Sequence, residues 1–213
     1  MSVLGYHWLA PTFNNEPTQP FTVHSEIGRT RSSTQQDGIH LEVYPESYRP
    51  ESTLAEHLTF AFKYEGIHLE FLARLFRLPE VKQGLEQWIA EEPTGAFASR
   101  ACFFYEWLMP DLLDFFPGVT QGNYVDALNP DEYVTGRSIN NRRWRVRDNL
   151  PGNRDFCPMI RRTEAVKAAE QYDVAAKLAL LEADYGLDLI QRSTVWLTIK
   201  ESRASFLIEH EQS

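Results

Sequence analysis

The chain has 213 residues, enough for one large domain or two small ones, and folding at this size buries roughly 70% of the unfolded surface. Hydrophobic residues make up 43% and charged residues 24%, with five Trp, nine Tyr and thirteen Phe; global disorder is excluded and an aromatic-rich core is expected. The net charge of -9 opposes general binding to nucleic acid or an anionic membrane.

No run reaches the length of about 20 apolar residues that a membrane helix requires, and the opening MSVLGYHWLAPTF lacks the basic and apolar regions of a signal peptide. A cytoplasmic location is expected. Cys102 and Cys157 lack CxxC spacing and suit a reducing compartment, so neither a disulfide nor a zinc site is expected.

Residues 1–38 read as an extended or mobile lead-in, because Pro11 to Asp37 is rich in Pro, Thr, Ser, Asn and Gln and shows little periodicity. Ile39, Leu41 and Val43 alternate as a short strand before Pro45 and Pro50. Thr53 and Glu56 have the form of a capping box, which opens a helix through Leu54, Leu58, Ala61 and Phe62 that stops near Gly66. A second helix fits IHLEFLARLFRL and ends at Pro79; a third runs from about Glu80 to Glu91 and a fourth from Ala96 to Leu108. The rings of FASRACFFYEWLM, at helical spacing, belong in a core.

From Phe115 to Pro158 the periodicity gives way to Gly, Pro, Asn and Arg, predicting an irregular connector with a short strand at RWRVRD and a turn at NLPGN. Thr163 is an N-cap for a helix that continues to Gly186, and a last helix covers about 187–211. The expected fold is mainly α: an irregular helical bundle with a short β element and a long irregular connector, ending in a long C-terminal helix. Residues 39–213 form a single domain in this reading.

Candidate chemistry is sparse. The triplets at His24, His40 and His68 match half of the zinc deaminase signature but lack Pro-Cys-x-x-Cys, so no metal site and no catalytic residues are assigned. From Arg137 to Arg162 eight Arg stand against two Asp. With Trp144 between Arg143 and Arg145 this segment could grip phosphates, which gives the rival reading of a nucleic-acid-binding adaptor. As a strand, RRWRVRDN instead puts Arg143, Arg145 and Arg147 on one side, a possible partner surface, available to the acidic remainder of the same molecule. A plain interaction scaffold is the third reading.

The last helix is distinctive. At about 100° per residue, Thr194, Thr198, Glu201, Ser202, Ser205 and Glu209 fall in one narrow arc with apolar residues on both borders. Small hydroxyl side chains permit close approach of another element, and Ser205 and Glu209 at i and i+4 point together into that contact.

The stretch ESRASFLIEH resembles the inhibitory-helix motif of Fic-family proteins, in which Ser or Thr is followed after three residues by Glu and then Gly or Asn. Ser205 and Glu209 match the fixed positions, Glu201, Ala204 and Ile208 match the usual surroundings, and Phe206 lies among them. Upstream, YPESYRPESTLAEHLTFAFKYEGIHLEFLARLF, ACFFYEWL, NYVDALNPDEYVTG and RRWRVRDNLPGNRDFCPMIRRT resemble the amino-terminal region of long bacterial Fic proteins. The resemblance implies that 39–213 is a regulatory domain with 187–211 as its inhibitory-type helix.

In similar proteins the motif Glu pairs with the Arg that holds the ATP γ-phosphate, and the misplaced nucleotide no longer transfers AMP. The implied partner is therefore a Fic catalytic core, in cis as part of a longer protein or in trans as in a toxin–antitoxin pair. ATP with Mg belongs to that core, and no cofactor is assigned to this chain alone. Two departures stand out. The catalytic loop His-Pro-Phe-x-Asp-Gly-Asn-Gly-Arg is absent, so this sequence does not catalyse AMP transfer by itself, and His210 stands where Gly or Asn is expected.

Overall fold

The computed structural model describes residues 2–36, 38–115 and 123–208, the last two without their side chains. About half of the chain is helical (48%) and 14% is strand, so the fold is mainly α with two small sheets. The chain divides into two compact units, Met1–Arg161 and Arg162–Ser213.

The amino-terminal unit is built around α5 (Ala96–Leu108), whose Ala98, Ala101, Cys102, Phe103, Phe104 and Tyr105 are all buried. It packs against α2 (Leu54–Phe60), α3 (Leu69–Leu75) and α4 (Pro79–Glu91). These last three helices start for local reasons. The Thr53 hydroxyl accepts from the Glu56 N–H at 3.3 Å and opens α2, which is half of the expected capping box; the Thr53 N–H donates to the Glu51 carbonyl at 2.8 Å rather than to the Glu56 side chain. The His68 imidazole does the same for α3 through the Phe71 N–H. Pro79 occupies the first turn of α4, where its missing N–H costs nothing. After α2 the chain makes a π-helical turn, Ala61–Glu65, and leaves it at Gly66 with φ +94°. A Cβ at Gly66 would collide with the Arg161 guanidinium and the Tyr133 hydroxyl, so that position needs glycine twice over.

Residues 1–38 are not a mobile lead-in. They contain α1 (Gly5–Thr12), β1 (Val23–Ile27) and β2 (Ser32–Gln36), and Leu4, Tyr6, Leu9 and Phe21 are buried. The polar composition misled because these elements are held from a distance. β1 runs parallel and β2 antiparallel to β3 (Ile39–Tyr44), so the exposed sequence SSTQQ is a strand through its backbone bonds, not its side chains.

The connector is more ordered than expected. Strands β4 (Val125–Asp126), β5 (Ile139–Asn141) and β6 (Val146–Asp148) form a second sheet in the order β4-β6-β5 that packs on α5. Trp144 and Val146 point inward, as alternation predicts, but the strand begins only at Val146. Arg143 lies in a turn and Arg145 has φ +56°, so the three arginines do not share one strand face.

The carboxy-terminal unit holds α6 (Glu164–Glu170), α7 (Val174–Tyr185) and α8 (Leu187–Ile208). Thr163 caps α6 through the Val166 N–H and Gly186, at φ +78°, ends α7. The single helix expected over 163–186 is broken because Asp173 caps a new one, its carboxylate accepting from the Ala176 N–H at 2.8 Å. A single domain over 39–213 is likewise corrected: the division after Arg161 separates these three helices, which contain no buried residue among those described, from the core.

Candidate functional site

α8 is an unbroken helix of 22 residues. Glu201, Ala204 and Ser205 are exposed on it and Phe206 is 53% exposed. The Ile208 side chain, Glu209 and His210 lie outside the described residues. Two of the arc's hydroxyls bond back into their own helix, Thr194 to the Ile190 carbonyl at 2.9 Å and Thr198 to the Thr194 carbonyl at 3.0 Å. Such bonds satisfy the hydroxyls locally and leave the methyl groups and helix backbone open to close approach. On either side stand Val195, Trp196, Leu197 and Ile199, each at least half exposed. A helix in this state can offer a flat, small-residue face bordered by apolar anchors to a protein surface.

The arginine-rich segment is engaged within its own units. Arg143 donates to the Leu113 and Phe115 carbonyls at 2.7 and 3.0 Å, and its Nε lies 3.0 Å from the Glu106 carboxylate. Arg147 holds Asp126 through two bonds of 2.6 and 3.0 Å, which keep the Asp126 carboxyl below its ordinary pKa. Arg154 donates to the Glu106 carbonyl, Arg161 pairs with Glu132 at 3.3 Å, and Arg162 holds Glu170.

A second constellation carried little sequence signal, because its members come from distant segments. The Tyr6 N–H donates to the Glu65 carboxylate at 2.8 Å, which thereby caps α1 from 59 residues away. A Cβ at Gly5 would overlap that carboxylate, so glycine, here at φ +54°, lets the two meet. The Tyr6 hydroxyl donates to the Gly66 carbonyl at 2.8 Å, the Tyr133 hydroxyl accepts from the Ile67 N–H at 3.0 Å, and Arg161 donates to the Glu65 carbonyl at 2.6 Å. Burial pushes the Glu65 carboxyl up to about 7, only partly offset by its bond from Tyr6, and raises the Tyr6 and Tyr133 phenols. Beside this network lies a cavity of about 420 Å³. The one sequence hint was EGIHLE, in which a glutamate, a glycine and a histidine meet at a helix junction.

Among the described residues no helix is long and apolar enough to cross a membrane, and no group of three or more His, Cys, Asp or Glu is placed to hold a metal ion. Comparisons with protein-family models, with curated proteins and with solved structures give no match.

Proposed function

We propose that this chain is a non-catalytic regulatory module that inhibits a Fic-type AMP-transferase, in cis or in trans, with α8 delivering Glu209 to the arginine of the ATP γ-phosphate site. The observation that carries the reading is a long helix bearing Ser205, with the motif's Glu209 following it in sequence, whose hydroxyl face and apolar borders are exposed at every described position. A helix holds a carboxylate in place at little entropic cost, and a carboxylate–guanidinium pair is charge-assisted and often bidentate. An arginine so occupied no longer orients the γ-phosphate, and misplacement by about 1 Å costs on the order of 10²-fold in rate. Ser205 supports the docked helix by hydrogen bonding, and His210 adds bulk beside the phosphates.

The nucleic-acid reading is disfavoured by the arginines themselves, since Arg143, Arg147, Arg161 and Arg162 already hold carboxylates of their own molecule. The test joins the chain to a Fic core and measures AMP transfer. Glu209→Gly is expected to raise the rate by about 10²-fold, and Ser205→Ala by less. An unchanged rate with Glu209→Gly would leave the module as a scaffold.

A further inference from the structure

The cavity beside the buried polar network has walls of a consistent kind. The Tyr6 and Phe21 rings stack at 5.3 Å and His68 meets both edge-on, at 6.1 and 5.2 Å. Ile67, Met159 and Cys157 complete an apolar lining. The charges at the site are already matched by the protein. Glu70 holds Arg74 at 3.3 Å and the Thr18 hydroxyl at 2.7 Å, and Arg161 holds Glu132 and the Glu65 carbonyl. The Glu65 carboxyl accepts from the Tyr6 N–H through one oxygen; among the described residues its other, buried oxygen has no hydrogen-bond partner of good geometry, and burial keeps the group protonated up to about 7. While Glu65 keeps its proton, a charged guest would therefore find no uncompensated counter-charge and would lose its own hydration.

Among the rings of the lining, one donor remains available. The His68 Nδ1 accepts from the Phe71 N–H, which fixes the tautomer with the proton on Nε2, and burial lowers its pKa and so favours the neutral ring. Among the described residues no group accepts from that Nε2–H. A donor set among stacked rings in a cavity of about 420 Å³ lies within the size range of small-ligand sites, about 300–1,000 Å³.

We propose that this cavity is a binding site for a small, uncharged heteroaromatic molecule, stacked against Tyr6 and Phe21 and accepting a hydrogen bond from the His68 Nε2–H. The site lies in the amino-terminal unit and is independent of the role given to α8. Its third wall is the strap of residues 157–161, which Arg161 ties to the Glu65 carbonyl.

Cys157 supplies the assay. It is half-buried in the same lining, whereas the other cysteine, Cys102, is fully buried. The whole chain is equilibrated at about pH 6.5, where the Glu65 carboxyl keeps its proton, for long enough to offset slow exchange at a Cys157 thiol whose pKa burial raises, with disulfides bearing pyridyl, phenyl, ammonium or carboxylate groups and competing 2-mercaptoethanol. Intact mass then reports which fragment is captured. The pyridyl disulfide is expected to exceed both charged ones by about tenfold, with phenyl between them, and the preference should vanish in urea. His68→Asn keeps an oxygen to accept from the Phe71 N–H but removes the Nε2 donor, and should bring pyridyl capture down to the phenyl level. Equal capture of all four fragments, preferential capture of a charged one, or a preference that survives in urea overturns the site. Pyridyl capture unaffected by His68→Asn overturns the hydrogen bond assigned to it.

Discussion

The two units spend their apolar residues in opposite ways. In Met1–Arg161 the large side chains are sealed: Trp144, Phe71, Phe76, Phe104 and Leu85 are almost inaccessible to solvent. In Arg162–Ser213 Val174, Leu178, Leu181 and Tyr185 on α7, and Val195, Trp196, Ile199 and Phe206 on α8, are each at least 40% exposed. Composition does not separate the two, since both are rich in large hydrophobics. Periodicity and capping suffice to make helices in either unit, but among the described residues only the first has a sheet and crossing helices to close over their apolar faces. Fold and candidate interface thus come from the same kind of sequence, distinguished by what lies across from it.

The two tryptophans give the sharpest test of that contrast. Trp144 is 1% exposed in the first unit, and Trp196 is 60% exposed on α8 with the Lys200 ammonium 5.1 Å from its ring centroid. Trp144→Ala is expected to cost about 3–5 kcal/mol in urea unfolding followed by circular dichroism. Trp196→Ala should shift stability by no more than about 0.5 kcal/mol and instead weaken association with a Fic core. A large stability loss from Trp196→Ala would break the comparison, because α8 would then be covered within its own molecule.

Titration sharpens the same point. Between the ordinary carboxyl value and about 7, the folded chain keeps a proton on Glu65 that the unfolded chain has released. Stability contributed below that window is therefore lost as pH rises through it. His57, stacked on Trp8 at 3.8 Å, works in the opposite sense: burial lowers it to about 4, so stability falls as pH drops from 6.5 toward that value. The two slopes oppose each other in the wild type, and comparison with Glu65→Gln isolates one of them. The amide oxygen still accepts from the Tyr6 N–H, so the variant should gain on the wild type by about 3 kcal/mol between about pH 4.5 and 7.5. A difference that stays flat with pH would mean that the carboxyl is hydrated rather than sealed.

Much of the helical content was legible. The α5 bounds, the Thr53 and Thr163 caps and the Gly186 stop follow from residues within one turn of each boundary. The misses share a cause, namely partners far along the chain. α1 is capped by Glu65, β2 exists because β3 lies beside it, and the second sheet is assembled from two- and three-residue strands too short for periodicity to show. The cavity was invisible because Tyr6, Phe21, His68 and Cys157 come from segments that meet only in the fold. The break between α6 and α7 was a local signal missed: Asp173 competes for its own backbone and starts a new helix.

The smallest effects concern arginines, and they contrast in the same way as the tryptophans. In the first unit Arg143 ties the Leu113 and Phe115 carbonyls to a Glu106 carboxylate whose side chain is only 10% exposed. Arg143→Ala leaves that carboxylate and both carbonyls short of a donor, and should cost about 2 kcal/mol. On α8 Arg192 meets Asp188 at 3.3 Å with both side chains more than three-quarters exposed, so Arg192→Ala should cost no more than about 0.5 kcal/mol, an effect that shrinks further in salt. The Arg143 cost should persist in salt, because its partners are shielded by protein. If Arg143→Ala instead left stability intact and abolished salt-sensitive binding to nucleic acid, the guanidinium would be facing outward to phosphates, and the adaptor reading would replace the inhibitor.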